Sequence, residues 1–146
     1  MGELSEEYVR GLVEGEGCFT FDTRYPKNKP PQKIPTFVIA MHQRDHDLLM
    51  SVRKTMRLPL INSHSIYDYG PWRKDGCNRG PTSKLIVRDY ITLKEIVVPF
   101  FYGKLHGNKG KQFYEWLEKI GNDDVPSPHR LIYKFYKDGL YQKLID

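Results

Sequence analysis

The stretch Val9-Arg10-Gly11-Leu12-Val13-Glu14-Gly15-Glu16-Gly17 most constrains this chain, because it joins a helix-packing surface to a carboxylate at a helix end. Ser5 can cap a helix whose first turn carries Glu6 and Glu7, and Leu4, Tyr8, Leu12 with Val9 and Val13 recur at helical spacing. Gly11 and Gly15 lie one turn apart on one face. Each costs about 1 kcal/mol of helix propensity relative to alanine, so their presence calls for a second backbone in close approach. Gly17 is expected to end the helix with a positive φ, and Cys18 to Thr23 alternates as a strand. Glu16 then stands where the helix turns into a sheet.

Charge distribution adds a second constraint. The 146 residues carry 23 Lys and Arg against 18 Asp and Glu, a formal net charge of +5, which favours an anionic partner. Residues 21–44 hold Arg24, Lys27, Lys29, Lys33 and Arg44 against Asp22 alone, and residues 73–88 hold Arg73, Lys74, Arg79, Lys84 and Arg88 against Asp75 alone. The first twenty residues are acidic by contrast, so the basic segments are expected to build one basic face from two hairpins. Cys18 and Cys77 cannot make a four-ligand zinc site and need not pair in a chain with an adequate core. No apolar run reaches about 18 residues and no signal-peptide pattern opens the chain, which predicts an intracellular protein without a membrane partner.

Along the chain, residues 25–31 read as a loop and Ile34 to His42 as a strand, with Phe37, Ile39 and Met41 on its core face and Thr36, Val38, Ala40 and His42 on the other. Asp45 can cap a helix holding Leu48, Leu49, Val52 and Met56. A third strand follows around Asn62 to Tyr69, then a turn-rich connection over 70–81, then a fourth strand from Ser83 to Tyr90 with Lys84, Ile86 and Arg88 on one face. Thr92-Leu93-Lys94-Glu95 has a capping-box pattern, and Pro99 tends to end the helix it opens. Phe113, Trp116, Leu117 and Ile120 mark another helix. Ser127-Pro128 begins a last helical segment, broken near Gly139. The fold class is α+β, in the order α-β-β-α-β-β-α with C-terminal helices.

The 9–17 stretch resembles the LAGLIDADG motif of homing endonucleases. Gly11, Leu12, Val13 and Gly17 fit it; Val9 and Arg10 stand where leucine and alanine are preferred, and Glu14 and Glu16 replace aspartates. The element order is also that family's, over roughly the first 120 residues. Pro99-Phe100-Phe101, leading to Lys109 before an aromatic-bearing helix, and Gln43-Arg44-Asp45-His46-Asp47-Leu48-Leu49 are further local matches.

The resemblance implies one endonuclease domain over 1–146, with a core of about 4–121 and a helical extension over 122–146. It implies an antiparallel, saddle-shaped DNA-binding sheet. It further implies a homodimeric, intron-encoded enzyme that makes a double-strand break in a long pseudo-palindromic target by Mg2+-dependent phosphodiester hydrolysis, with Mn2+ or Ca2+ able to substitute for binding. Partners are double-stranded DNA and a second copy, with no small-molecule substrate. Glu16 with Gly15 is the implied metal end, and Tyr8, Gly11, Leu12 and Gly15 the dimer interface. Lys109, with Lys111 the alternative, is the implied basic catalytic residue, and Gln43 or His42 the water-orienting one. Met41 is an alternative match for the glutamine.

Base and phosphate contacts are expected from Asp22, Arg24, Thr36, Val38, Ser65, Tyr67, Lys84, Ile86 and Arg88 on the strands, and from Lys27, Lys29, Arg44, Arg73, Lys74 and Arg79 in loops. His46, His64, His106 and His129 lack metal-ligand spacing and read as surface or packing residues. Two other readings keep nucleic acid as partner. They are an RNA maturase or non-cleaving DNA-binding regulator of the same fold, and a basic RNA-binding α/β domain indifferent to Glu16.

Overall fold

The computed structural model describes residues 3–59, 66–70, 72–74 and 77–146, without the side chains of 72–74 and 77–79. Helix α1 (Glu6–Glu16) starts where expected, with Ser5 Oγ accepting from the Tyr8 amide at 3.0 Å. Its end differs from the expectation. Gly17 is extended (φ −86°, ψ 163°), so the helix passes straight into strand β1 (Gly17–Arg24) without a left-handed residue. The glycine is needed for space instead: a Cβ there would lie 2.6 Å from Val13 Cγ1 and 2.9 Å from the Val13 carbonyl oxygen.

Strand β2 (Gln32–His42) follows the 25–31 loop, and a 3-10 turn (Gln43–Asp45) leads into α2 (His46–Met56). Beyond it come β3 (Ile66–Tyr69), a small hairpin of β4 (Trp72–Lys74) and β5 (Cys77–Arg79), and β6 (Thr82–Val87). The hairpin lies in what the sequence presents as a turn-rich connection. Strand three begins within the described residues at Ile66, so its expected start at Asn62 falls outside them. Sheet order is β1-β2-β6-β3, antiparallel throughout.

The next helical stretch opens on a different cap from the one expected. Asp89 Oδ2 accepts from the Thr92 amide at 3.0 Å, and α3 (Tyr90–Thr92) begins there; Thr92 itself is buried inside the helix. Pro99 does not end the run. A π-turn (Leu93–Val97) carries the Val98 amide to the Leu93 carbonyl, and α4 (Val98–Phe101) continues directly from it through Pro99. Helices α5 (Gly107–Lys119), α6 (Ser127–Lys137) and α7 (Leu140–Ile145) complete the chain, with Gly139 at φ 75° breaking the last two. Ser127 makes no cap bond; Pro126 occupies the N-cap position.

One sheet face packs under the helices. Phe19, Phe37, Ile39, Leu85 and Val87 alternate onto it and join Val9, Val13, Leu49, Val52, Phe101, Phe113 and Trp116 in the core. Phe19 is its centre, with ring centroids of Phe37, Phe101, Phe113 and Trp116 at 4.9–5.5 Å. The opposite face carries Cys18, Thr20, Asp22 and Arg24 from β1, the even-numbered residues of β2, Tyr67 and Tyr69 from β3, and Thr82, Lys84 and Ile86 from β6. No helix of the described residues is long and apolar enough to cross a membrane.

The Val13 contact makes Gly17→Ala a direct test of the helix-to-strand junction. The variant should lose about 1–3 kcal/mol of stability, read as a lower urea midpoint at unchanged m, because a backbone oxygen has to move to admit the methyl.

Candidate nucleic-acid interface and metal-binding helix end

Helix α1 shows two different faces. Val9 and Val13 are fully buried, whereas Tyr8 is 48% exposed, Gly11 and Gly15 are exposed and Leu12 is half-buried. A Cβ built at Gly11 or Gly15 would meet nothing within 4 Å. The chain's own packing therefore does not require either glycine.

The far end of α1 is tied to α5. Lys109 Nζ donates to the Gly17 carbonyl at 2.6 Å, which puts its ammonium one residue from the exposed Glu16. Glu14 Oε1 accepts from the His106 amide at 2.8 Å, where α5 begins. That bond gives Glu14 a structural task and leaves Glu16 as the outward carboxylate. Arg10, at a position where the family motif prefers alanine, donates from Nε to the Phe100 carbonyl at 2.8 Å, stacks 4.5 Å from the Phe100 ring centroid and pairs with Glu6. Neither the Glu14 nor the Arg10 contact was visible in the sequence, since both partners lie about ninety residues away. Lys111 is exposed.

His42 and Gln43 belong to another part of the molecule. His42 is exposed, and its Nδ1 accepts from the Arg44 amide at 3.0 Å. Gln43 lies near the Asp68 carboxylate, which accepts from the Ser83 hydroxyl and from His46 Nδ1 at 2.9 Å. Met41, with Phe37 and Ile39, lies on the helix-packed face instead. The structure thus joins Lys109 to the end of α1 and sets Gln43 in a network around Asp68 that the sequence did not reveal.

On the open sheet face, two expected contact residues need correction. Thr36 and Ile86 point that way by register but are 0% and 5% exposed. Thr36 Oγ1 donates to the Ile34 carbonyl at 2.9 Å. Nearby, Arg88 Nε donates to Asp22 Oδ2, bridging β1 to the end of β6 across β2 at the level of Ile34 and Thr36. Val38 and Tyr67 are half-buried, Lys84 sits 5.3 Å from the Tyr69 ring centroid, and Arg24, Lys27, Lys29, Arg44 and Arg88 are exposed. Ser65 and the side chains of Arg73, Lys74 and Arg79 lie outside the described residues.

Among the described residues no group of three or more His, Cys, Asp or Glu could hold a metal ion. Glu16 offers one hard oxygen ligand of the kind Mg2+ takes, while Mg2+ asks for a near-octahedral oxygen set. The donor type fits; the number in one chain is small.

The Asp68 network gives a pH signature. The Ser83 hydroxyl first, and then His46, hold the Asp68 carboxyl below the usual carboxylate range. Its pKa is lowered on folding, so the stability it contributes is present above the unfolded value, about 3.9, and is lost as pH falls through the lowered one. Ser83→Ala should move the Asp68 titration upward by NMR; an unmoved titration would remove Ser83 as its cause.

Comparison with known proteins places this architecture. No curated protein matches the chain. Among solved structures, I-GzeII in complex with a DNA target is 23% identical with a TM-score of 0.60, covering 81% of this chain and 35% of that one. I-CpaMI bound to uncleaved DNA is 15% identical with a TM-score of 0.67, covering 95% and 44%. The homing endonuclease I-TnaI is 21% identical with a TM-score of 0.56, covering 94% and 99%. The chain thus spans under half the length of the first two, both LAGLIDADG proteins, and nearly all of the third. The LAGLIDADG endonuclease family itself matches residues 9–120, from the open face of α1 to the end of α5. With its antiparallel sheet under a helical layer, and the α1 motif at the match's start, the chain belongs to the LAGLIDADG endonuclease family.

Proposed function

We propose that this protein is a site-specific homing endonuclease, intron-encoded in kind, that acts as a homodimer and makes a double-strand break in a long pseudo-palindromic DNA target. The observation that carries this reading is the open face of α1, where Gly11 and Gly15 have clear space and Glu16 stands exposed at the end. Two glycines that weaken a helix and serve no contact in their own chain suit a contact outside it. A second α1 related by a two-fold axis would place Tyr8, Gly11, Leu12 and Gly15 against their own copies and bring two Glu16 side chains together.

That pairing would answer the shortage of ligands. Glu16 with Gly15 from each copy would hold divalent metal, Mg2+ in this proposal with Mn2+ or Ca2+ able to support binding. When bound, such a cation neutralises the scissile phosphate and lowers the pKa of a nucleophilic water. The chain's own part is to hold the phosphate and the charge around it. Lys109, anchored on Gly17, is suited to stabilise charge developing at the phosphate, and the open sheet is suited to lie in a major groove. Residues 1–146 then act as one unit, a core of about 4–121 with a helical extension over 122–146.

The test is Mg2+-dependent cleavage of a randomised duplex-DNA library by the wild type and Glu16→Gln, with cut ends sequenced. Staggered cuts at a pseudo-palindromic site, absent with the variant, are expected. Binding without cleavage by either protein would point to a regulator, and failure to enrich any duplex would point to RNA.

Gly11→Ala separates fold from assembly. In the isolated chain the methyl meets open space and should raise stability by about 1 kcal/mol. In sedimentation it should shift the protein from dimer toward monomer. A wild type that is monomeric at every concentration would defeat the dimer.

A further inference from the structure

The open sheet face holds one feature that general DNA binding does not call for. Among the described residues, strand alternation places a single carboxylate on that face, Asp22, in the middle of an otherwise neutral and basic surface. A carboxylate turned toward phosphates weakens unspecific attraction, so its presence there needs a partner. The partner is Arg88. Its Nε donates to Asp22 Oδ2, and each side chain keeps more than two-fifths of its exposure (44% and 43%). So open an ion pair contributes little to folding.

Arg88 is also held at its other end. His129 lies on α6, where its Nε2 donates to the Arg88 carbonyl at 2.7 Å, and its ring packs edge-on to Tyr90. Burial holds the imidazole pKa below its usual value, which keeps the neutral form with the proton on Nε2. Backbone and guanidinium of Arg88 are therefore both fixed, beside a shallow depression lined by Asp22, Thr23, Arg24, Ile34 and Arg88. With Nε engaged, the Nη1–Nη2 edge is the donor pair left to a ligand. Two parallel N–H donors match the O6 and N7 acceptors of guanine in the major groove, a pairing that other bases do not offer.

We propose that Asp22 is a positioning residue that holds the Arg88 guanidinium edge-on to read one guanine in each half of the DNA target. This rests on reading the open sheet as the duplex-DNA face. Asp22 acts through Arg88 and supplies selectivity; Lys27 and Lys29, exposed in the 25–31 loop, suit contacts to phosphate that carry no sequence information.

The experiment is selection from a randomised duplex-DNA library with Ca2+ in place of Mg2+, so that binding is read apart from cutting. Wild type, Arg88→Ala, Arg88→Lys and Asp22→Asn are compared, each checked for an unchanged unfolding midpoint. Wild type should require G·C at one symmetric pair of positions. Arg88→Ala should lose that preference by about tenfold to a hundredfold while other positions keep theirs. Arg88→Lys should keep overall affinity and lose the preference, since an ammonium cannot form the fork. Asp22→Asn should weaken the preference at the same position without lowering total binding, because it removes a negative charge. A purely structural role would lower the midpoint or weaken binding at every position alike. That result, or an Asp22→Asn profile changed at a different position or at none, overturns the proposal while leaving DNA binding intact. Failure of the wild type to enrich any duplex overturns both this proposal and the nuclease reading.

Discussion

The seating of α1 is the constraint from which the rest of the molecule follows. Val9 and Val13 sink into the core, and the helix hands over at once to β1 at Gly17, where Val13 leaves no room for a side chain. That handover fixes the start of the sheet directly beneath the helix end. It also delivers Phe19 to the centre of an aromatic cluster that draws in β2, α4 and α5. Once α1 is held this way, Glu16 and the two open glycines have nowhere to face but outward.

Polar ties then sharpen what apolar packing only approximates. Arg10 binds α1 to the end of α4, Glu14 binds it to the start of α5, and Lys109 returns from α5 to the carbonyl of Gly17. Three long-range bonds around one helix hold it against rotation, which a nonspecific apolar contact would permit. On the opposite side of the sheet another tie, from Asp22 to Arg88, crosses an entire strand at the level of Ile34 and Thr36.

Much of this was legible in the sequence because it depends on local periodicity. Ser5 as a cap, the alternation of Phe37 and Ile39, the sharing of a face by Lys84, Ile86 and Arg88, and the break at Gly139 all follow from residue type and spacing. The errors arose where a distant group decided the outcome. Gly17 was expected to serve backbone conformation but serves Val13. Thr92 has the pattern of a cap, yet Asp89 is better placed, and the helix starts three residues earlier. Thr36 has the right parity for ligand contact, but parity does not decide burial, and its side chain is buried. The nearness of Asp68 to Gln43 was not legible either, because it depends on the pairing of β3 with β6.

The last two helices show that a family likeness and a folding unit need not share a boundary. The match stops at residue 120, yet Ile132 and Tyr141 are buried in the same core, Tyr141 bonds the Lys94 carbonyl, and His129 holds the backbone of Arg88. Trimming the chain to its recognisable portion would uncover apolar surface and release the end of β6 together. A transplant of the reading face onto another scaffold would have to carry its rear support with it, from residues that no motif marks.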